Sequence, residues 1–172
     1  MCVTDRAMAR LVATLVIVTG PGGNLVAGIS MGLRARLKKL IVGVMGNCTS
    51  SCALIWIGAE TGRKFLYHSR PIALTALCFH QASQHALLDR FGHLSPGPAS
   101  GEGNALIAKN LATLGYNQDM IEWALTAGPT QRRCLTPELA KKFNIDFWYN
   151  TDDGQHYSLP GNHGLLPTAS GY

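Results

Sequence analysis

The sequence predicts an α/β domain, and three observations carry that prediction. Short Val-, Ile- and Leu-rich runs end at glycine turns, at residues 11–19 and again at 40–45. A stretch with roughly helical apolar spacing lies between them, opened by Asn24 as a capping residue. The order strand, helix, strand, helix, strand then matches a sheet assembled by crossovers rather than hairpins. At 172 residues the chain is long enough to bury a substantial core as one domain, expected over residues 1–149, with a polar tail over 150–172.

The elements follow in turn. Residues 11–19 read as a buried strand running into the turn Gly20-Pro21-Gly22-Gly23. Arg6 and Arg10 ahead of this run imitate a signal peptide, but the apolar stretch is too short to span a bilayer. A cut near Ala27 would also remove the glycine-rich loop, so a strand is the better reading and no convincing signal peptide is seen. Localisation, cytoplasmic or periplasmic, stays open. Residues 25–37 read as a helix, 40–45 as a second strand stopped by Gly46-Asn47, and 49–57 as a helix apolar on nearly every side. Residues 64–67 and 72–79 read as further strands, and 85–103 as a loop. Two helices are expected over 104–115 and 117–127. Thr136-Pro137-Glu138 opens a short helix ending near Asn144.

Composition excludes several classes. With 47% apolar and only 15% charged residues, the chain is not disordered over most of its length. Its net charge of +5 is scattered apart from Arg34 to Lys39, which suits one helix face, and no basic stripe with interleaved aromatics argues for nucleic acid. Five cysteines match no zinc-finger spacing and leave the redox compartment undecided.

The chemistry concentrates in Gly46-Asn47-Cys48-Thr49-Ser50-Ser51-Cys52, followed by Phe79-His80-Gln81. Ser50 stands at the expected start of a helix, where free backbone N–H groups and the helix dipole favour a developing anion. A serine hydroxyl becomes a nucleophile only when a base takes its proton and donors hold the oxyanion. His80 is the candidate base, and the N–H groups of Ser51 and Gly23 are the candidate oxyanion donors. Taken singly, Ser50 is a helix cap, His80 a structural histidine and Gly-Pro-Gly-Gly a turn. A Cys48 or Cys52 nucleophile is a weaker alternative, because helical spacing puts both cysteines off the position of Ser50 and small buried cysteines usually pack; a zinc site from Cys48, Cys52, His80 and His85 is weaker still, since no acidic or His second pair has ligand spacing. His68, His93, His156 and His163 read as surface residues, Trp56, Trp123 and Trp148 as core, and Met31 and Met45 as core filling.

In this order the motifs resemble the Clp protease proteolytic subunit and its relatives in the Clp/crotonase superfamily. In that family a strand enters Ser-Pro-Gly-Gly, a second strand leads to Gly-x-Ala-Ala-Ser, and a later strand ends in His-Gln. Gly20-Pro21-Gly22-Gly23, Gly46 to Ser50 and His80-Gln81 stand at the matching positions, with Gly20 where the family has serine. Cys48-Thr49-Ser50-Ser51-Cys52 and Leu135-Thr136-Pro137-Glu138-Leu139 are similar to a divergent subgroup with a Cys-x-Ser-x-Cys motif. The similarity runs over residues 11–146. It implies a repeated ββα superhelical fold and serine peptidase activity on a peptide or protein. It also implies no cofactor or metal, and self-assembly into trimers or larger rings. The chain has no Gly-x-x-x-x-Gly-Lys-Ser/Thr, so unfolding would fall to a separate ATPase or membrane partner. The alternative is a catalytically inactive, acyl-binding or structural subunit of the same superfamily.

Two departures stand out. The position of the family's acidic third residue holds Arg132, and a cation cannot anchor an imidazolium. A backbone carbonyl, Asp119 or Glu122 would have to substitute. The family also carries a further strand–helix unit ahead of the glycine-rich strand.

Overall fold

A computed structural model describes residues 13–17, 19–67, 77–84, 87–88, 94–150 and 156–158. In chain order it contains β1 (Thr14–Ile17), α1 (Leu25–Leu37), β2 (Ile41–Val44), β3 (Cys48–Thr49), α2 (Ser51–Gly58), β4 (Lys64–Tyr67) and β5 (Leu77–Phe79). A short hairpin of β6 (Leu87–Leu88) and β7 (Leu94–Ser95) comes next, then α3 (Gly101–Thr113), α4 (Gln118–Ala124), β8 (Arg133–Cys134) and α5 (Pro137–Lys142). Two strands, β9 (Trp148–Asn150) and β10 (His156–Ser158), follow.

The larger sheet has the order β1-β2-β4-β9-β10, parallel throughout except for antiparallel β10 at its edge. A second, smaller sheet has the order β3-β5-β8. The chain alternates between the two, β2 then β3, β4 then β5. In the small sheet β3 leads into Ser50 and β5 into His80.

Helix α2 is the centre of the core. Seven of its eight residues are buried, and Trp56 is fully enclosed, its indole N–H donating to the Phe65 carbonyl at 3.0 Å and its ring meeting Phe147 edge-on. Such an all-round apolar sequence can only sit inside the protein. Helix α1 lies against α2 through Gly28 and Gly32, where an added Cβ would come within 2.7 Å of the Ser51 and Leu54 carbonyl oxygens. Only the absence of side chains permits that approach.

The expected α/β organisation is present, and most elements fall where the periodicity puts them. Asn24, Asn117 and Thr136 each cap the helix they precede, accepting from the N–H groups of Ala27, Met120 and Leu139. Three expectations are corrected. Cys48 is on a strand and not on the helix with Cys52, because the helix begins only at Ser51. The loop expected over 85–103 contains a hairpin and the first turn of α3, capped by Ser100. Met31 and Met45 are 45% and 53% exposed, not core filling; the glycine face of α1 is the one drawn onto α2, which turns Met31 outward. Strand β10, within the stretch expected as a polar tail, pairs with β9. Residues 11–12 and 72–76 of two expected strands, His68, His85, His93, His163 and most of the tail lie outside the described residues.

Beyond the core, Lys64 at the start of β4 is buried with Asp146, their charged groups 3.8 Å apart, while Asp146 also accepts the Gly62 N–H at 2.8 Å. Burial outweighs the Asp146 attraction and lowers the Lys64 pKa from 10.5 to about 8. From pH 8 upward the unfolded chain therefore binds more protons than the folded one, so stability rises with pH. Above pH 10 the trend is opposed, because burial holds the Tyr116 phenol protonated in the fold well beyond its ordinary value of 10.0. Denaturant midpoints should rise between these limits in the wild type and stay flatter in Lys64→Met. A wild-type profile with no rise would disprove the assignment.

Candidate active site

The strand-to-helix junction at Ser50 is a sharp turn. Ser50 has φ 60° and ψ −126°, a left-handed conformation rare for any residue with a side chain. Its N–H donates to the Cys78 carbonyl at 2.9 Å and its carbonyl accepts the Leu54 N–H at 3.1 Å, so the turn ties β5 to α2. Ser50 occupies the N-cap position of α2, yet its hydroxyl makes no capping hydrogen bond. An N-cap serine ordinarily sits in extended backbone and accepts from the first helical turn. Capping therefore does not explain this serine.

The glycine-rich loop closes over the same turn. Gly22 has φ 110°, and a Cβ there would lie 2.7 Å from the Ser50 Cβ, so glycine is required both by conformation and by proximity. Gly20 bridges to Cys48, donating to the Asn47 carbonyl at 2.7 Å and accepting from the Thr49 N–H at 2.9 Å. Those bonds place Gly23 beside Ser51, whose N–H belongs to the first turn of α2 and has no partner within the helix.

His80 follows directly after β5. It lines, with Ser50 and Gly23, an open cleft of about 1000 Å³. No hydrogen bond joins Ser50 to His80; a serine–histidine pair commonly tightens only on substrate. The ring's Nδ1 lies 2.6 Å from the Gln81 carbonyl oxygen, so with Nδ1 protonated it donates there and leaves Nε2 as the basic nitrogen. Gln81 is itself held fast, its N–H donating to the Ala127 carbonyl at 2.8 Å and its amide to the Leu125 carbonyl at 3.0 Å.

Among the described residues no carboxylate anchors the histidine. The β5–β8 register pairs Cys78 with Cys134 and Phe79 with Arg133, and one step further along it stand His80 and Arg132. Arg132 is exposed. Asp119 and Glu122 do not serve either: both are exposed on α4, Asp119 facing Lys142 at 3.7 Å and Glu122 accepting from Gln118. Of the three substitutes the sequence allows, the backbone carbonyl is the one in contact.

No protein-family model matches the chain, and no curated protein is significantly similar to it.

Cys48 and Cys52 form a disulfide, as do Cys78 and Cys134, so none of the four is a thiol nucleophile or a metal ligand. Among the described residues no group of three His, Cys, Asp or Glu could hold a metal ion. Sequence reasoning left unassigned the far wall of the cleft, which carries Ser83, Gln84, Ser100 and Glu102. The signal was present in Ser100 ahead of Gly101-Glu102-Gly103, a cap and an acidic first turn hidden by two glycines. Beside Ser50 and His80 a narrow recess is walled by Leu54, Phe79, Ile107 and Ala124.

Proposed function

We propose that the chain is a serine-type hydrolase acting on peptide or related acyl bonds, related to the Clp/crotonase group. The observation that carries this reading is Ser50 itself: a strained, uncapping serine at the start of a buried helix, sharing a cleft with His80 and Gly23. Strained backbone of this kind costs about 1–3 kcal/mol and is retained where the surrounding structure uses it. The same strand–turn–helix geometry presents the nucleophile of the α/β-hydrolases.

In this mechanism the Nε2 of His80 takes the proton of the Ser50 hydroxyl as Oγ attacks the carbonyl carbon. The N–H groups of Ser51 and Gly23 receive the oxyanion, and the imidazolium then protonates the leaving group. Water, activated by the same nitrogen, releases the acyl group. The apolar recess suits a small apolar acyl side chain, and the open cleft beyond it suits an extended chain. The alternation of strands between two sheets supports the ββα superhelix that the resemblance implies. The exposed Val26, Leu33 and Leu37, on one face of α1, support assembly into trimers or rings. Two disulfides favour a compartment where thiols are oxidised, such as the periplasm, over the cytoplasm.

A fluorophosphonate probe tests the reading. It should label Ser50 covalently in the native protein, and Ser50→Ala should abolish labelling while leaving the melting temperature within a few degrees of wild type. Folded wild type that stays unlabelled would overturn the hydrolase and leave an acyl-binding protein.

A further inference from the structure

We propose that the Cys48–Cys52 disulfide is the positioning element of the nucleophile, holding Ser50 out of the capping conformation that would silence it. The proposal rests on the serine-hydrolase reading for its catalytic consequence, but its structural content stands apart.

A sharp strand–nucleophile–helix turn brings the residues two before and two after the nucleophile close together, and in the G-x-S-x-G elbow both are glycine. Here those positions are Cys48 and Cys52, with Cα atoms 5.2 Å apart and their sulfurs joined. The bridge thus spans Thr49, Ser50 and Ser51 alone. Constraint of the unfolded chain grows with the logarithm of the enclosed loop, so a bridge with separation 4 contributes less to global stability than Cys78–Cys134 with separation 56. Its effect is local.

Its surroundings reinforce this. Cys48 is fully buried and Cys52 is 5% exposed. Gly20 lies against the bridge, where an added Cβ would come within 2.7 Å of the Cys52 Sγ. One covalent link therefore underlies both the nucleophile's turn and the loop that carries Gly23. The competing state is specific. Released from the bridge, Ser50 can relax to extended backbone, and its hydroxyl can accept from the first turn of α2 as serine N-caps do. A capping hydroxyl is no longer aimed at a substrate.

The test removes the bridge in the full chain. In Cys48→Ala/Cys52→Ala, fluorophosphonate labelling of Ser50 should slow about tenfold or more, the ratio that strain of this size sustains between two backbone states. Its melting temperature should fall less than that of Cys78→Ala/Cys134→Ala. Labelling of the folded double variant at the wild-type rate overturns the proposal. Should the alanine pair fail to fold, Cys48→Ser/Cys52→Ser is read in the same way. Folded Cys78→Ala/Cys134→Ala protein, in which Cys48–Cys52 is the one disulfide left among the described residues, provides a third reading when reduced with excess dithiothreitol; one disulfide and one dithiol give two protein thiols and the cyclic disulfide of the reagent, and labelling should return on reoxidation. The Ser50 Cα and Cβ chemical shifts follow its backbone without any chemistry. They should move toward extended values when the bridge is absent, and unchanged shifts overturn the positioning role. Loss of labelling in the oxidised wild type with shifts that still respond would instead overturn the hydrolase reading and leave the positioning intact.

Discussion

His80→Ala should slow acylation of Ser50 by about a hundred- to ten-thousandfold, the range that a positioned general base contributes. His80 shares the cleft with Ser50, and its Nδ1 is engaged by the Gln81 carbonyl, which directs the other nitrogen to proton transfer. The side chain is half-buried, so its loss leaves no large cavity and the fold should persist. Burst kinetics with an activated ester, alongside a melting curve, separate the two effects. A wild-type acylation rate in folded His80→Ala would remove the base from the mechanism.

Gly32→Val should destabilise the protein by about 3 kcal/mol or more, a large part of the stability of an ordinary domain. The added Cβ would stand 2.7 Å from the Leu54 carbonyl oxygen and 3.3 Å from the Gly58 Cα, and backbone cannot rotate aside as a side chain would. Separation of α1 from α2 would also shift the glycine-rich loop, because α1 begins at Leu25, two residues after Gly23. Urea unfolding is the measurement. A midpoint matching wild type with an unchanged slope would show that the crossing is looser than its geometry.

Much of this was legible from residues. Asn24, Asn117 and Thr136 announce their helices because a cap is a local hydrogen bond written in adjacent positions. Ser50, His80 and Gly23 were legible as a set, and the structure brings them to one cleft. What stayed hidden depends on distance in sequence. The pairing of Cys78 with Cys134 needs strands 56 residues apart to meet, and an odd cysteine count gave no framework. The bridge between Cys48 and Cys52 is hidden for the opposite reason: helical spacing does not reach back to Cys48, because the helix begins only at Ser51, after a turn that an unusual φ at Ser50 creates. Glu102 and Ser100 were lost in a glycine-rich stretch whose composition resembles a loop even where it is helix.

Among the described residues the partner of the imidazole is a main-chain oxygen, the Gln81 carbonyl. Side-chain replacement at Gln81 alters the packing around that oxygen but never deletes it. An alanine scan across the whole polypeptide would thus find the alcohol and the ring, and pass over the atom that fixes which nitrogen of that ring is free.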